Sequence, residues 1–235
     1  MIQKRKSVRS IDARPLKDDV LSDILNFAHS AAPLYPDIAV SIRLLTHDQV
    51  KSMGAVFAPH YLAFYGERNQ KADTNCGFIL QQADLYLSSL GLGSCWLGMA
   101  KPMEKEFEGR PFGIMLAFGT PKESLYRNSI DQFKRKAIEE ISSGTVPPEY
   151  IEAVRLAPSA MNKQPWFFSG DEHHLHAFSL RSPLNPAARF RFIDMGIALS
   201  QAYVTAVADG KTVEFTEDPS AVSEKGKEYV LSLTF

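Results

Sequence analysis

An internal repeat constrains the fold of this chain more than any other feature of its sequence. Segments of the second half follow segments of the first in the same order, at an offset of about 120 to 130 positions. The matched segments are residues 4–11 with 134–141, 28–31 with 157–160, 77–91 with 196–210, and 112–118 with 229–235. Because short chance matches would not keep one order and offset, the sequence predicts a duplication. We expect the boundary in the polar segment 125–132, which gives halves of residues 1–130 and 131–235.

Hydrophobic periodicity predicts an alternation of helices and strands. The expected elements are helices over residues 18–32, 77–90 and the turns that precede Pro158, a polar helical piece over 48–53, and strands over 39–45, 61–65 and 112–118. Asp18 is the predicted N-cap of the first helix, because a short acceptor side chain satisfies free N–H groups there. Gly91 stands where a helix C-terminal glycine belongs.

Composition and charge exclude several classes of function. The 235 residues are 45% hydrophobic, enough for a sizeable core, and the net charge of -1 gives no general attraction to nucleic acid. The two cysteines lack metal-ligand spacing, and the histidines have no carboxylate or cysteine partner at such spacing. No apolar run follows the basic N-terminus, and none approaches the roughly 18 residues of a membrane span. We therefore expect a cytoplasmic protein without a membrane, nucleic-acid or metal partner.

The two copies differ most in their polar side chains. The first copy has Ser7 and Arg9 where the second has alanine and glutamate. The second copy has a polar loop at residues 158–166, whereas the matching residues 29–33 of the first lack its amide side chains. A site that needs both sets of groups would therefore occur once per chain.

The polar loop itself offers hydroxyl and amide groups in several directions and no carboxylate. Ser159, Asn162 and Gln164 supply these groups between Pro158 and Pro165. Such a set suits a planar heteroaromatic ligand better than a metal ion or a bare phosphate. An ordinary helix-to-strand turn would use the same residue types, so this alternative stays open.

Three motifs resemble those of the nitroreductase family, the FMN-dependent oxidoreductases of α+β fold. They are Arg5-x-Ser7-x-Arg9, the segment 92–98 (Leu-Gly-Ser-Cys-Trp-Leu-Gly), and the segment 157–166 (Ala-Pro-Ser-Ala-x-Asn-x-Gln-Pro-Trp). The family is typically homodimeric, with FMN at the subunit interface and the third motif coming from the partner subunit. In this chain all three motifs are present but divided between the halves. The resemblance therefore implies a nitroreductase-like fold of two tandem half-repeats that form an intramolecular pseudo-dimer, as in a subgroup of the family.

The resemblance also implies which residues bind FMN. They are Arg5, Ser7, Arg9, Leu97, Gly98, Lys134, Arg135, Pro158, Ser159, Ala160, Asn162 and Gln164. Two arginines with a hydroxyl suit a phosphate, although a solvated N-terminal face would also carry them. The family places a further basic residue on the phosphate, which is Lys134 or Arg135 here unless residues 134–136 are the first turn of a helix.

The other implied ligands are assigned to the rest of the cofactor. Ser159, Asn162 and Gln164 would meet the ribityl chain and the ring. Leu97 and Gly98 would act through backbone groups, since a close approach to a flat ring leaves no room for a side chain. The two tryptophans are interpreted as packing residues.

The implied activity is transfer of electrons from NAD(P)H through FMN to an electron-poor small molecule. The flavin performs this chemistry, so we assign no catalytic side chain. We expect one FMN per chain, and a monomer because the dimer is already built into the chain. The alternative is a flavin-binding or structural pseudo-dimer without turnover. Reductive chemistry on a halogenated or corrin-like ligand is a third hypothesis within the same fold.

Overall fold

A computed structural model describes residues 1–51, 56–181, 186–218, 221 and 226–235 of the chain. Its internal contacts divide the chain into two units, one of residues 3–132 with Met1 and one of residues 133–235 with Ile2. The predicted boundary lies after residue 130, and this division falls after Gln132. None of the described helices is both long and apolar enough to cross a bilayer.

The first unit contains two long helices and one antiparallel sheet. Its elements are α1 (Asp18–Ser30), β1 (Val40–Thr46), β2 (Val50–Lys51), β3 (His60–Gly66), α2 (Gln70–Ser89), β4 (Gly93–Leu97), β5 (Lys101–Pro102), β6 (Glu106–Phe107) and β7 (Arg110–Gly119), with short 3-10 turns at His47–Gln49 and Ile130–Gln132. The main sheet has the order β1-β3-β7-β4, and β6 pairs with β7 as a short hairpin. Both α1 and α2 pack against this sheet, so the core of the unit lies between helices and strands.

Helix α1 forms where the periodicity predicts it. Leu21, Ile24 and Ala28 are buried on one face, as their spacing requires. The prediction that Asp18 caps the helix is wrong, because Lys17 is the N-cap and its side chain makes no capping bond. Asp18 instead begins the first helical turn, where its negative charge favours the helix dipole.

Helix α2 begins seven positions before the predicted start at Gly77, since its first residue is Gln70. The Asn69 side chain caps it by accepting the Ala72 N–H. The missed turns contain polar residues that are nevertheless buried, so their sequence shows no apolar stripe. The predicted C-terminal glycine is present: Gly91 has φ +78°, and Leu92 N–H donates to Leu87 O at 3.0 Å in a Schellman motif.

The polar piece predicted as helical over residues 48–53 has a different structure. A single 3-10 turn at His47–Gln49 is followed by strand β2 (Val50–Lys51). The remaining part of that prediction, residues 52 and 53, lies outside the described residues.

The second unit is built around another sheet, which is antiparallel except at one edge. Its elements are α3 (Ile138–Ile141), β8 (Ser142–Gly144), α4 (Pro148–Leu156), β9 (Trp166–Gly170), β10 (His174–Leu180), α5 (Arg191–Ala208), β11 (Glu214–Thr216) and β12 (Lys227–Thr234), with 3-10 turns at Ala160–Asn162 and Pro186–Phe190. The sheet order is β11-β12-β10-β9-β8, and only the β8–β9 pair is parallel. Helix α5 packs against α4 and β10.

The two units share one topology. Apart from the short elements β2, β5, β6, α3 and β8, each unit has helix, strand, strand, helix, strand and strand in chain order. The sheet order β4-β7-β3-β1 of the first matches β11-β12-β10-β9 of the second. The second long helix also ends in a Schellman motif, with Gly210 at φ +76° and Lys211 N–H donating to Ala206 O at 2.9 Å. The order of the main elements is therefore the same in both units, and the duplication itself stays a prediction from the sequence.

Candidate functional site

The polar loop of the second unit follows helix α4 directly. The helix ends at Leu156, so Pro158 stands just beyond it as predicted. The loop then makes one 3-10 turn, Ala160–Asn162, and strand β9 begins at Trp166. Three loop residues other than glycine have left-handed backbone angles, with φ of +52° at Met161, +55° at Asn162 and +49° at Gln164. Each such residue costs about 1 kcal/mol or more, so the surroundings must hold the loop in this conformation.

Hydrogen bonds inside the loop provide part of that support. Ser159 Oγ accepts the Gln164 N–H at 2.9 Å, and Ser159 O accepts the Asn162 N–H at 3.0 Å. The first bond spans five positions and closes the loop on itself. Ser159 is therefore a structural member of the loop whose hydroxyl proton can still be donated.

Further bonds join the loop to the basic junction that precedes α3. Asn162 Oδ1 accepts from Arg135 Nη1 at 2.6 Å, and Asn162 Nδ2 donates to Lys134 O at 2.7 Å. Gln164, which is 4% exposed, accepts the Lys136 N–H at 2.9 Å through Oε1. Hydrogen bonds within the second unit thus connect the polar loop, which contains the predicted residues Pro158, Ser159, Ala160, Asn162 and Gln164, to the junction, which contains Lys134 and Arg135.

The junction itself is not helical. Helix α3 begins at Ile138, so the alternative that residues 134–136 form the first turn of a helix is wrong. Arg135 is half-buried, and its Nη2 donates to Leu156 O at 3.2 Å. Lys134 is exposed and contributes its backbone carbonyl to the bond with Asn162.

An additional residue of this cluster was not predicted from the sequence. Asp194, in the first turn of α5, accepts the Ala160 N–H at 2.9 Å through Oδ1. The carboxyl is 2% exposed, and burial raises its pKa to about 7, while the Ala160 N–H lowers it. The repeat contained a signal for it. Because Gly196 aligns with Gly77, Asp194 aligns with Asn75, and both copies therefore have a polar residue at this helical position.

In the first unit, the first arginine of the N-terminal motif is buried. Arg5 is 2% exposed, so the alternative of a solvated N-terminal face is wrong for this residue. Its Nε pairs with the Asp84 carboxylate, and its Nη2 donates to Ser7 Oγ at 3.1 Å. Asp84 also accepts from the Ser94 hydroxyl, so α2, β4 and the N-terminal segment are joined at one buried carboxylate.

The rest of the N-terminal motif lies closer to the surface. Arg9 is exposed, and its backbone N–H donates to Glu123 Oε1 at 2.8 Å. That bond and the one from the Ser10 N–H lower the pKa of Glu123. Leu97, at the end of β4, is half-buried, and Gly98 after it is exposed. These positions leave the predicted roles of Arg9, Leu97 and Gly98 as predictions.

A pocket of about 610 Å³ lies in the first unit beside the loop that matches the polar one. Helix α1, strand β1 and the β6–β7 hairpin line it. His29, which the repeat aligns with Pro158, borders this pocket and bonds Ile42 O through Nε2 at 3.0 Å. None of the predicted FMN ligands lines it.

Comparisons with known proteins point to one family. A family model described as "Putative TM nitroreductase" matches residues 1–206. Among solved structures, a protein of Thermotoga maritima MSB8 described as a putative nitroreductase matches with a TM-score of 0.69 and 24% identity, over 99% of this chain and 91% of that one. A nitroreductase family protein of Clostridium difficile 630 gives a TM-score of 0.47 at 15% identity over 58% of this chain and 91% of that one. A nitroreductase with bound FMN from Desulfitobacterium hafniense DCB-2 gives 0.43 at 16% identity over 58% and 95%. No curated protein matches the sequence.

Proposed function

The chain belongs to the nitroreductase family whose model it matches, and from this premise we propose that it is an FMN-dependent oxidoreductase that reduces electron-poor small molecules with NAD(P)H. The observation that carries the proposal is the cluster in the second unit. There a strained loop of uncharged donors and acceptors is fastened to an arginine by the 2.6 Å bond between Asn162 and Arg135. Strained backbone of this kind persists where function requires a fixed geometry.

The groups of the cluster fit a flavin better than a metal ion. Among the described residues, no three His, Cys, Asp or Glu side chains are grouped to hold a metal. The loop instead presents a hydroxyl and two side-chain amides, which bind hydroxyl groups and ring edges. When bound, FMN supplies the acceptance and donation of hydride at its ring. The chain would contribute binding, orientation and exclusion of water.

We assign the phosphate to arginines of the two motifs. Arg135 is a better candidate than Lys134, because Asn162 and Leu156 hold its guanidinium in place, whereas Lys134 is exposed. A fixed guanidinium loses less entropy on binding a phosphate than a mobile ammonium. Arg5, Ser7 and Arg9 would supply the remaining donors. Because Asp84 already neutralises Arg5, the exposed Arg9 would neutralise more of the negative charge of the phosphate.

The ring edge is assigned to the end of β4. Leu97 and Gly98 would offer backbone groups, and the absence of a Cβ at Gly98 would allow the ring to approach closely. Pro158 and Ala160 would contribute small, rigid surfaces to the cofactor site. We propose that the chain binds a single FMN and is a monomer formed by duplication.

A visible spectrum of the purified protein tests this function. We expect flavin absorption after incubation with FMN, and anaerobic bleaching by NADH or NADPH. Protein that is colourless and takes up no added FMN would refute the proposal. Bound flavin that neither nucleotide bleaches would favour the alternative, a flavin-binding pseudo-dimer without turnover.

A pair of variants that each remove one positive charge makes the test specific. Arg135→Gln should weaken FMN binding about 10-fold or more, since a charge-assisted contact to the phosphate is lost. Lys163→Gln removes a positive charge from an exposed side chain of the polar loop and should leave the affinity within about twofold. Equal affinities of the two variants would exclude Arg135 as a phosphate ligand.

A further inference from the structure

The buried carboxyl of Asp194 holds the polar loop of residues 158–166, the proposed FMN loop, through a hydrogen bond to one backbone N–H group. Its Oδ1 accepts the Ala160 N–H at 2.9 Å, at the start of the 3-10 turn that contains Met161 and Asn162. Its Oδ2 is buried and has no hydrogen-bond partner among the described residues. A carboxyl in such a position can gain or lose a proton on Oδ2 while Oδ1 keeps its bond to the loop.

The first unit uses the same device with a group that does not titrate. Asn75 lies in the first turns of α2, and its Oδ1 accepts the N–H groups of Leu34 at 2.7 Å and Tyr35 at 3.1 Å. Its Nδ2 also donates to Tyr35 O at 3.0 Å, so both ends of the amide are used. In each unit the long helix therefore anchors the loop that follows the preceding helix. Only the copy with the predicted FMN loop has an ionisable anchor.

The surroundings of Asp194 place its titration near neutral pH. Burial raises its pKa to about 7, and the bond from Ala160 is the one opposing cause. The charged or titratable side chains on the described elements around it are Lys163 of the loop; Lys134, Arg135 and Lys136 of the junction; Glu149, Tyr150, Glu152 and Arg155 of α4; His174 and His176 of β10; Arg189 of the 3-10 turn; and Arg191 and Tyr203 of α5. None of them contributes to this shift. The fraction of Asp194 that is ionised therefore depends on the pH and on how far the carboxyl is buried.

We propose that Asp194 is a positioning residue of the FMN loop, and that the ionisation of its carboxyl strengthens FMN binding. The inference rests on the proposed function of the loop. A carboxylate accepts a charge-assisted hydrogen bond, which is stronger than the bond to a neutral acid. The ionised form therefore holds Ala160 and the strained residues after it more firmly. The neutral form allows the loop to relax, and the cofactor must then restore the bound conformation.

FMN affinity measured against pH tests this role. Quenching of flavin fluorescence would give the dissociation constant from about pH 5.5 to 8.5 for the wild type and for Asp194→Asn. The free FMN phosphate titrates in the same range, and the comparison of the two proteins cancels its effect. We expect the wild-type affinity to rise about fivefold more than that of the variant across a midpoint near pH 7. Parallel curves for the two proteins would overturn the proposal.

Asp73→Asn is the matched control. Asp73 is an acidic residue in the first turn of α2. Burial raises its pKa to about 6, and the nearby charge that lowers the pKa belongs to Arg68, which is not a predicted FMN ligand. Its variant should keep the wild-type pH dependence of FMN affinity. A loss of that dependence in Asp73→Asn as large as in Asp194→Asn would contradict a specific role for Asp194.

A measurement without cofactor separates this inference from the proposed function. In ¹⁵N-labelled apoprotein, the Ala160 amide resonance should titrate with a midpoint near pH 7 in the wild type and should not titrate in Asp194→Asn. An Ala160 resonance whose chemical shift does not change with pH in the wild type would refute the role of Asp194 in positioning the loop. Failure to bind FMN at any pH, with the Ala160 titration intact, would instead refute the flavin function.

Discussion

At the scale of single residues, the most consequential contact of the first unit is the buried pair of Arg5 and Asp84. Their side chains are 3% and 0% exposed. The change Arg5→Met would leave the Asp84 carboxylate buried without its cation. We expect the free energy of unfolding to fall by about 3–5 kcal/mol, because an uncompensated buried charge is costly. Urea unfolding of the apoprotein measures this change.

The double variant Arg5→Met, Asp84→Asn is the control for that prediction. It removes both charges and keeps an oxygen acceptor for the Ser94 hydroxyl. At least half of the lost stability should return, since no isolated charge remains. A double variant as unstable as the single one would mean that packing of the arginine stem, and not the charge, stabilises the unit.

The environment of His60 predicts how the stability of the first unit changes as the pH is lowered. The Leu16 N–H donates to His60 Nε2 at 2.9 Å, so the ring is neutral, and burial lowers its pKa from the usual 6.5. The unfolded chain therefore binds the proton more readily than the folded one. Stability from this residue is present above pH 6.5 and is lost as the pH falls through the lowered folded-state pKa.

The variant His60→Gln should not show this acid step, because an amide does not titrate. We expect the difference in unfolding free energy between wild type and variant to shrink or reverse as the pH is lowered from about 8 to 5. Urea denaturation at several pH values gives this difference. A difference that is constant across the range would show that His60 is not the titrating group.

The sequence indicates the chemistry of these residues but not their partners. The spacing of Arg5 and Ser7 marks them as a polar pair, and the structure indeed joins them by a 3.1 Å bond. Asp84 is 79 positions from Arg5 and has no local signal, since an acidic residue in a helix is usually exposed. Asp194 is hidden in the same way within an apolar helix. Such partners depend on tertiary packing and could not be read from one sequence.

At the scale of elements, the two Schellman motifs allow a paired prediction. Gly91 and Gly210 have φ of +78° and +76°, and an added Cβ would meet nothing within 4 Å at either position. Replacement by alanine should therefore cost only backbone strain, about 1 kcal/mol in each case. Thermal or urea unfolding of the two single variants would measure this.

Gly93→Ala serves as the contrasting case for those two variants. There the new Cβ would stand 2.7 Å from Val8 Cγ1, so a steric clash is added in place of backbone strain. We expect a loss larger than that of Gly91→Ala. Unequal effects of Gly91→Ala and Gly210→Ala would show that the two helix ends are not equivalent.

Elements were predictable where burial and periodicity agree. Of the predicted stripe Leu21, Ile24 or Leu25, Ala28 and Ala31, helix α1 buries Leu21, Ile24 and Ala28, while Ala31 lies beyond its last residue. The helix before Pro158 ends where the proline requires it. The start of α2 was missed because Asn75 and Thr74 are buried although they are polar. The left-handed residues of the polar loop also lack a signal, since glycine and not Met161 is the usual residue with such angles.

At the scale of the whole molecule, the shared topology predicts the cofactor stoichiometry. Each half lacks polar groups that the other contains, as in Ala137 and Glu139 against Ser7 and Arg9. We therefore expect one FMN per chain of 26.2 kDa. Titration followed by flavin fluorescence gives this number, and light scattering tests the expected monomer. Two tightly bound FMN molecules per chain would contradict the prediction.

The distribution of the two tryptophans has a practical consequence. Trp96 lies in β4 of the first unit and is half-buried, whereas Trp166 opens β9 of the second and is fully buried. Each unit thus contains its own fluorescent reporter, with a different exposure to solvent. In Trp96→Phe the ultraviolet emission would follow only the second unit, and in Trp166→Phe only the first. An optical signal can therefore distinguish the melting of one half from that of the other, which identical subunits of a homodimer would not permit.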